Sequence, residues 1–321
     1  MGEFELIRHF FAAAPCAQGG EAVALGIGDD CALLSLAPGE QLAISTDTLV
    51  AGVHFPAVCD PFLLGQRSLA VAASDLAAMG ATPIGFTLAL TLPEVRADWL
   101  QAYAHGLNQM AQACQLSLIG GDTTRGPLSL TMTVFGRVPS GLALTRSGAR
   151  AGDLLCVGGE LGNAAGALPL VLGQQQAGPA VADPLLAHYW SPQPQFALGQ
   201  ALRGKATSAL DISDGLLADC GHIAKASQVS VQVQLSRLPI SPALQTFFGH
   251  QGAQQAALTG GDDYVLAFTL PEVELAPLLE AGWPIHVVGR VGAGAGVSLV
   301  DDQGKDITPT TRGYQHFREQ P

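Results

Sequence analysis

The sequence predicts an α+β fold built as two α/β sandwich halves, and three observations carry that expectation. Apolar residues recur at helical spacing in stretches such as EFELIRHFFAAA, while IGFTLALTL and YVLAFTL alternate or run apolar as strands do. The two kinds of segment do not follow one another in strict βαβ order, which disfavours a doubly wound sheet. The 321 residues are 48% hydrophobic and 13% charged with 39 Gly, a composition that excludes disorder and suits compact units with many tight turns.

EFELIRHFFAAA reads as an opening amphipathic helix, and short strands are expected at Val23–Leu25, Ala32–Leu34 and Gln41–Ser45. PFLLGQRSLAVAASDLAAMGATP is a helix with Gly80 and Pro83 as its stop. A strand (IGFTLALTL), a helix (RADWLQAYAHGLNQMAQACQ) and the strands LSLIG and PLSLTMTVFGRV complete the first half. The pattern loosens between Val138 and Gly152, which sets expected domains at 1–138 and 139–321. Beyond it LLCVGG, TSALDI, VSVQVQL, YVLAFTL, PIHVVGRV and GVSLV read as strands. LGNAAGALPLVLGQQQ (despite Pro169) and GLLADCGHIAKAS read as helices.

The net charge of −12 makes nucleic acid and anionic membrane surfaces unsuitable partners. The longest uncharged run, Leu161–Ala182, is broken by Gly, Pro and three Gln, so no membrane span is expected. MGEFELIRHFF carries early charges and no signal-peptide core, and the six scattered Cys form no CxxC pair. A cytoplasmic protein with reduced thiols is expected.

Asp outnumbers Glu 17 to 10, whereas a solvated helical surface favours Glu. Many of these Asp lie beside Gly, Ser or Thr: GIGDD (Asp29, Asp30), STDTLV (Ser45, Thr46, Asp47) and IGGDTTRG (Gly121, Asp122). Asp75 sits in the mainly apolar AVAASDLAAMG. Each has an ordinary explanation taken singly: an Asx or ST turn, a hairpin, a buried ion pair. Four in one half, read as Asp at element ends, point instead to a shared site for a hard cation. With only three lysines, a protein handling phosphates would need such cations. Gly199–Lys205 copies the spacing of a phosphate-binding loop, but Ala206 stands where its hydroxyl belongs and the stretch reads as a helix end.

GIGDDCALL, STDTLVAGVHF, SLAVAASDLAAMGATP, IGGDTTRG, DISDGLLAD, GGDDY and GYQHF together, in this order from Gly26 to Phe317, resemble the thiamine-monophosphate kinase family. That family belongs to a wider superfamily with aminoimidazole ribonucleotide synthetase and selenophosphate synthetase. The resemblance implies two aminoimidazole ribonucleotide synthetase-like domains in a homodimer, with ATP, several Mg²⁺ and thiamine monophosphate bound between the domains. Residues 1–138 would bind metal and ATP and dimerise; 139–321 would complete the ATP and thiamine phosphate site. By motif, Asp30, Ser45, Thr46, Asp47, Asp75, Asp122, Asp211 and Asp214 would serve the metals. Gly121, Asp122, Arg146 and Ser213, with His105, would hold ATP, and His54, Asp262 and Tyr314 would meet the substrate. The implied reaction is direct in-line transfer of the γ-phosphoryl group to the substrate's own phosphate, with no protein nucleophile. Where the family carries GGED this chain has Gly260-Gly261-Asp262-Asp263, one methylene shorter. The alternatives are another enzyme of the superfamily or a non-catalytic nucleotide- or thiamine-binding protein. Cys16 in AAAPCAQGG is a poor match to a selenophosphate-synthetase cysteine.

Overall fold

A computed structural model describes residues 3–310, 313 and 314; Gln315–Phe317 of the GYQHF motif lie outside them. The chain divides into two compact units, residues 1–76 with 81–143, and residues 77–80 with 144–321. No helix among the described residues is long and apolar enough to cross a membrane.

The first unit opens with α1 (Glu3–Leu6), which continues as wider π-type turns through Ala12 and buries Phe10 and Phe11. The short strands β1 (Val23–Leu25) and β2 (Leu33–Leu34) pair with each other around the GIGDD turn. Then come β3 (Glu40–Val50), α2 (Pro61–Ala78), β4 (Thr82–Leu92), α3 (Ala97–Cys114), β5 (Ser117–Arg125) and β6 (Ser129–Pro139). Four of these strands form one sheet in the order β3-β6-β4-β5. Strand alternation sorts its residues by face. Leu49, Leu130, Met132, Val134, Phe86, Leu88 and Leu90 are buried together. The other face carries Ile44, Thr46, Thr48, Thr131 and Thr133, with hydroxyl pairs Thr46–Thr133 at 3.0 Å and Thr48–Thr131 at 2.9 Å.

Two segments run further than their sequence suggests. β3 continues past Ser45 to Val50 because β6 offers it eleven consecutive partners, so Asp47 lies inside a strand. β5 likewise passes through Asp122 to Arg125, paired along β4. The expected element ends at these two positions are therefore corrected to edge-strand interiors.

The second unit contains β7 (Leu154–Val157), α4 (Asn163–Val171), α5 (Pro179–Trp190), α6 (Phe196–Leu202), β8 (Ser208–Asp211) and α7 (Leu216–Ser227). β9 (Ser230–Gln234), α8 (Pro242–Thr259), β10 (Leu266–Leu270), α9 (Leu275–Glu280), β11 (His286–Gly292) and β12 (Gly296–Val300) follow. Its sheet has the order β12-β9-β11-β7-β10-β8, parallel only at β12–β9. β7 is buried at every position because both faces are covered. Leu155, Val157 and Leu210 pack with Leu217, Cys220 and Ile223 of α7, while Leu154, Cys156 and Phe268 pack with Leu198, Leu202 and Leu278.

In the first unit α2 and α3 cross in backbone contact. A methyl on Gly106 would lie 1.8 Å from the Phe62 carbonyl oxygen, and one on Gly65 2.3 Å from that of Tyr103. In an open helix Gly→Ala would stabilise by about 1 kcal/mol. Here the clash reverses the sign, and Gly106→Ala is expected to cost about 2 kcal/mol net. Urea unfolding measures it; an unchanged or raised midpoint would mean that the helices can part.

Candidate active site

Asp47 on β3 and Asp75 on α2 face each other on the buried side of the four-stranded sheet. The Ser45 hydroxyl, one pleat along the same face, donates a short hydrogen bond to Asp75 Oδ2. Asp47 is half-buried, and burial first, then the neighbouring Asp75 carboxylate, pushes its carboxyl up to about 6. Both influences penalise charge. A divalent cation with a preference for oxygen would reverse them, and the donors present are oxygens only, so the residues fit Mg²⁺. Thr46 points to the opposite, threonine-rich face, so only its backbone could join Asp47 at an ion.

Asp30 is exposed in the GIGDD turn, where its backbone N–H donates to Asp29 Oδ1 at 2.9 Å. His54 Nδ1 accepts from the Val50 N–H at 3.0 Å, which leaves the ring's proton on Nε2. His105 is exposed on α3 with its ring edge-on to Phe62 at 6.3 Å. Asp122 is exposed on β5, with β6 and β4 lying between it and β3. The sheet therefore brings Ser45, Asp47 and Asp75 together and holds Gly121 and Asp122 apart from them.

In the second unit the residues expected in one site gather on two loops pressed together. Asp211 ends β8, and Ser213, Asp214 and Gly215 follow before α7. Glycine lets the facing loop approach: a Cβ on Gly261 would sit 2.2 Å from the Ser213 carbonyl oxygen. The Asp262 N–H donates to that oxygen at 2.9 Å, and the Tyr264 N–H donates to Ile212 O at 2.8 Å. Tyr314 is tied to the same place, its N–H donating to Asp214 O at 3.0 Å. Arg146 is exposed, with its carbonyl accepting from Ser227 Oγ at 3.0 Å.

Sequence reasoning missed two carboxylates that build this corner. Asp219 Oδ2 accepts from the N–H groups of Ser213, Asp214 and Gly215 at 3.1, 3.0 and 3.1 Å. Burial foremost, opposed by backbone N–H donors and reinforced by the Asp214 and Asp211 carboxylates, raises it to about 7. Its position in the first turn of α7, four residues after Gly215, was the available signal. Asp214, Asp219 and His222 also lie close enough to share a cation, each offering one atom within 4.8 Å of the others. Asp263 is buried, with both oxygens accepting from the Gly162 N–H at 2.9 and 2.8 Å, which caps the start of α4. Burial raises its carboxyl well above the usual range against the pull of those donors.

Two domains of this kind, each carrying carboxylates at a sheet edge or strand end, define the class. Residues 28–138 match the AIR synthase related protein N-terminal domain and residues 150–302 its C-terminal domain. The thiamine-monophosphate kinase of Escherichia coli (strain K12) is 45% identical over 322 residues, covering 98% of each chain. The structure of the thiamine-monophosphate kinase from Stenotrophomonas maltophilia K279a is 44% identical, with a TM-score of 0.82 over 87% of this chain and 91% of that one. AaThiL complexed with AMPPCP and TMP is 28% identical, with a TM-score of 0.80 over 88% and 89%. The chain belongs to the thiamine-monophosphate kinase family and is a kinase.

Because Asp263 accepts at both oxygens in a buried place, Asp263→Asn puts an amide donor against an N–H. The expected loss is about 1–3 kcal/mol of stability, read by urea unfolding. A variant as stable as the parent would mean that solvent or a rearranged loop satisfies Gly162.

Proposed function

We propose that this chain transfers the γ-phosphoryl group of ATP to thiamine monophosphate, giving thiamine diphosphate and ADP, with Mg²⁺ as the metal. The observation that carries this reading is the match, along 98% of both chains, to an E. coli protein named for that activity. The pairing of AMPPCP with TMP on AaThiL, a protein of the same fold, supports the two substrates. In this reading an ionised oxygen of the substrate phosphate attacks the γ-phosphorus in line. The new P–O bond forms as the bond to the β,γ-bridging oxygen breaks, and ADP leaves with that electron pair. The nucleophile arrives deprotonated, so no side chain is needed as a base.

Each pair of unit negative charges about 4 Å apart costs about 4 kcal/mol at an effective dielectric of 20. Mg²⁺, when bound, supplies the positive charge that offsets this repulsion and the charge of the transition state. Asp30, Ser45, Thr46, Asp47, Asp75, Asp122, Asp211 and Asp214 are the residues we assign to metals, with the oxygen-only surroundings of Asp47 and Asp75 as the support. His105, Gly121, Asp122, Arg146 and Ser213 are assigned to ATP. His54, with an Nε2–H donor, and Asp262 and Tyr314, tethered to the Ser213–Asp214 loop, are assigned to the thiamine side. The protein would act as a homodimer.

Incubation with ATP, Mg²⁺ and thiamine monophosphate tests the reaction, with thiamine diphosphate read by chromatography; ADP formed without it would sink the assignment. Asp47→Asn keeps shape and loses charge, so kcat is expected to fall about 10²-fold or more at saturating Mg²⁺. Wild-type turnover would remove Asp47 from the metal site. Asp262→Ala deletes an acceptor and is expected to raise the KM for thiamine monophosphate about tenfold while leaving that for ATP unchanged. The opposite pattern would place this loop on the nucleotide side.

A further inference from the structure

The backbone that carries Asp262 is fixed residue by residue. The Asp262 N–H donates to Ser213 O at 2.9 Å and the Tyr264 N–H to Ile212 O at 2.8 Å. Asp263, between them, accepts from the Gly162 N–H with both carboxylate oxygens. Asp262 at φ +68° and Tyr264 at φ +50° both hold left-handed backbone. With the main chain held in this way, the Asp262 carboxylate has only χ1 and χ2 left to choose. A change of χ1 well carries its Cγ about 2.4 Å by standard bond lengths, farther than a hydrogen bond can stretch.

The Tyr264 hydroxyl takes up that freedom by donating to Asp262 Oδ1 at 2.9 Å. Tyr264 is only 7% exposed, so its ring is a fixed post, whereas Asp262 keeps part of its surface in solvent. A tyrosine has one hydroxyl proton to give, and an ionised carboxylate only accepts. With that proton spent on Asp262, the pair offers acceptors and no donor, in one orientation.

We propose that Tyr264 is a positioning residue that sets substrate specificity, holding Asp262 as an oriented acceptor for the exocyclic amino group of the substrate's pyrimidine ring. An analogue with a carbonyl on the same ring carbon turns lone pairs towards those of the carboxylate and is disfavoured. The substrate class is then a phosphate monoester bearing an aminopyrimidine, read at its amino group. This rests on the assignment of Asp262 to the thiamine side proposed above.

The test compares Tyr264→Phe, Asp262→Ala and the double variant. The substrates are thiamine monophosphate and oxythiamine monophosphate, which carries a carbonyl in place of that amino group. Phe keeps the ring and removes only the hydroxyl. Tyr264→Phe is expected to raise the KM for thiamine monophosphate about fivefold, the size of one lost hydrogen bond, with kcat and the KM for ATP unchanged. The amino-over-oxo ratio of kcat/KM is expected to fall about fivefold with it. Calorimetric titration with thiamine monophosphate alone is expected to show the same weakening in Kd, whatever the turnover. In the Asp262→Ala background the tyrosine substitution is expected to change nothing, because it acts through the carboxylate. Three results would overturn the role of Tyr264 while leaving Asp262 on the substrate side. They are an unchanged KM and ratio in Tyr264→Phe, an equal loss for ATP and thiamine monophosphate, and an undiminished effect in the Asp262→Ala background. If Asp262→Ala binds thiamine monophosphate as tightly as the parent, the assignment of Asp262 itself fails, and the role of Tyr264 with it.

Discussion

A carboxylate taken out of water must meet either hydrogen-bond donors or a cation, and the placement of this chain's Asp residues follows from that constraint. Asp219 and Asp263 are buried and are answered by backbone N–H groups, three for Asp219 and a bidentate pair of contacts to Gly162 for Asp263. They hold loops. Asp47 and Asp75 are less buried, yet burial and the neighbouring Asp75 carboxylate both raise Asp47, and one hydrogen bond to Asp75 comes from the neutral Ser45 hydroxyl. Such a pair suits a bound divalent ion rather than a structural cap. The same side chain thus serves two purposes, and the donors around it tell them apart.

The loops of the second unit show how the first purpose supports the other residues. Asp219 gathers the amides of Ser213, Asp214 and Gly215, which fixes the turn between β8 and α7. That turn then offers its carbonyls outward, Ser213 O to Asp262 and Asp214 O to Tyr314. Gly261 and Gly313 are needed because side chains there would strike those carbonyls, at 2.2 and 2.5 Å. Two non-glycine residues, Asp262 at φ +68° and Tyr264 at φ +50°, accept left-handed backbone on either side of Asp263. Strain of that kind, of order 1 kcal/mol or more each, persists where neighbouring contacts over-determine the backbone.

Much of this was legible in the sequence. The α+β class followed from period and element order, and the family followed from motifs spread along the chain. The strand readings of β4, β6 and β7–β12 came from apolar runs that tertiary structure did not override. Three helices had no reading, among them the six-residue α9. α8 is interrupted at Gly249 and rich in Gln, and α5 carries Pro184 inside it, so neither presents a clean apolar stripe. The ends of β3 and β5 were misjudged because Ser, Thr, Gly and Asp are turn formers by local chemistry, whereas a long partner strand decides otherwise. The distance between Asp47 and Asp122 could not be read at all. It depends on sheet order, which local pattern does not encode.

The two Asp doublets resolve into one design. Adjacent carboxylates about 5 Å apart repel by about 3 kcal/mol at an effective dielectric of 20, so neither can be a mere duplicate of the other. In GIGDD the Asp29 carboxylate turns back to accept the Asp30 N–H, and Asp30 is left exposed. In GGDD, Asp263 turns inward to cap α4 while Asp262 stays half-buried beside the Ser213 loop, its Oδ1 accepting from the Tyr264 hydroxyl at 2.9 Å. In each doublet one carboxylate stabilises the loop and the other is presented by it. The loop-holding carboxylate comes first in one doublet and second in the other, where the presented Asp262 has left-handed backbone at φ +68°. Asp is among the few side chains that tolerate that conformation, which gives a physical reason for the shorter acid at this position.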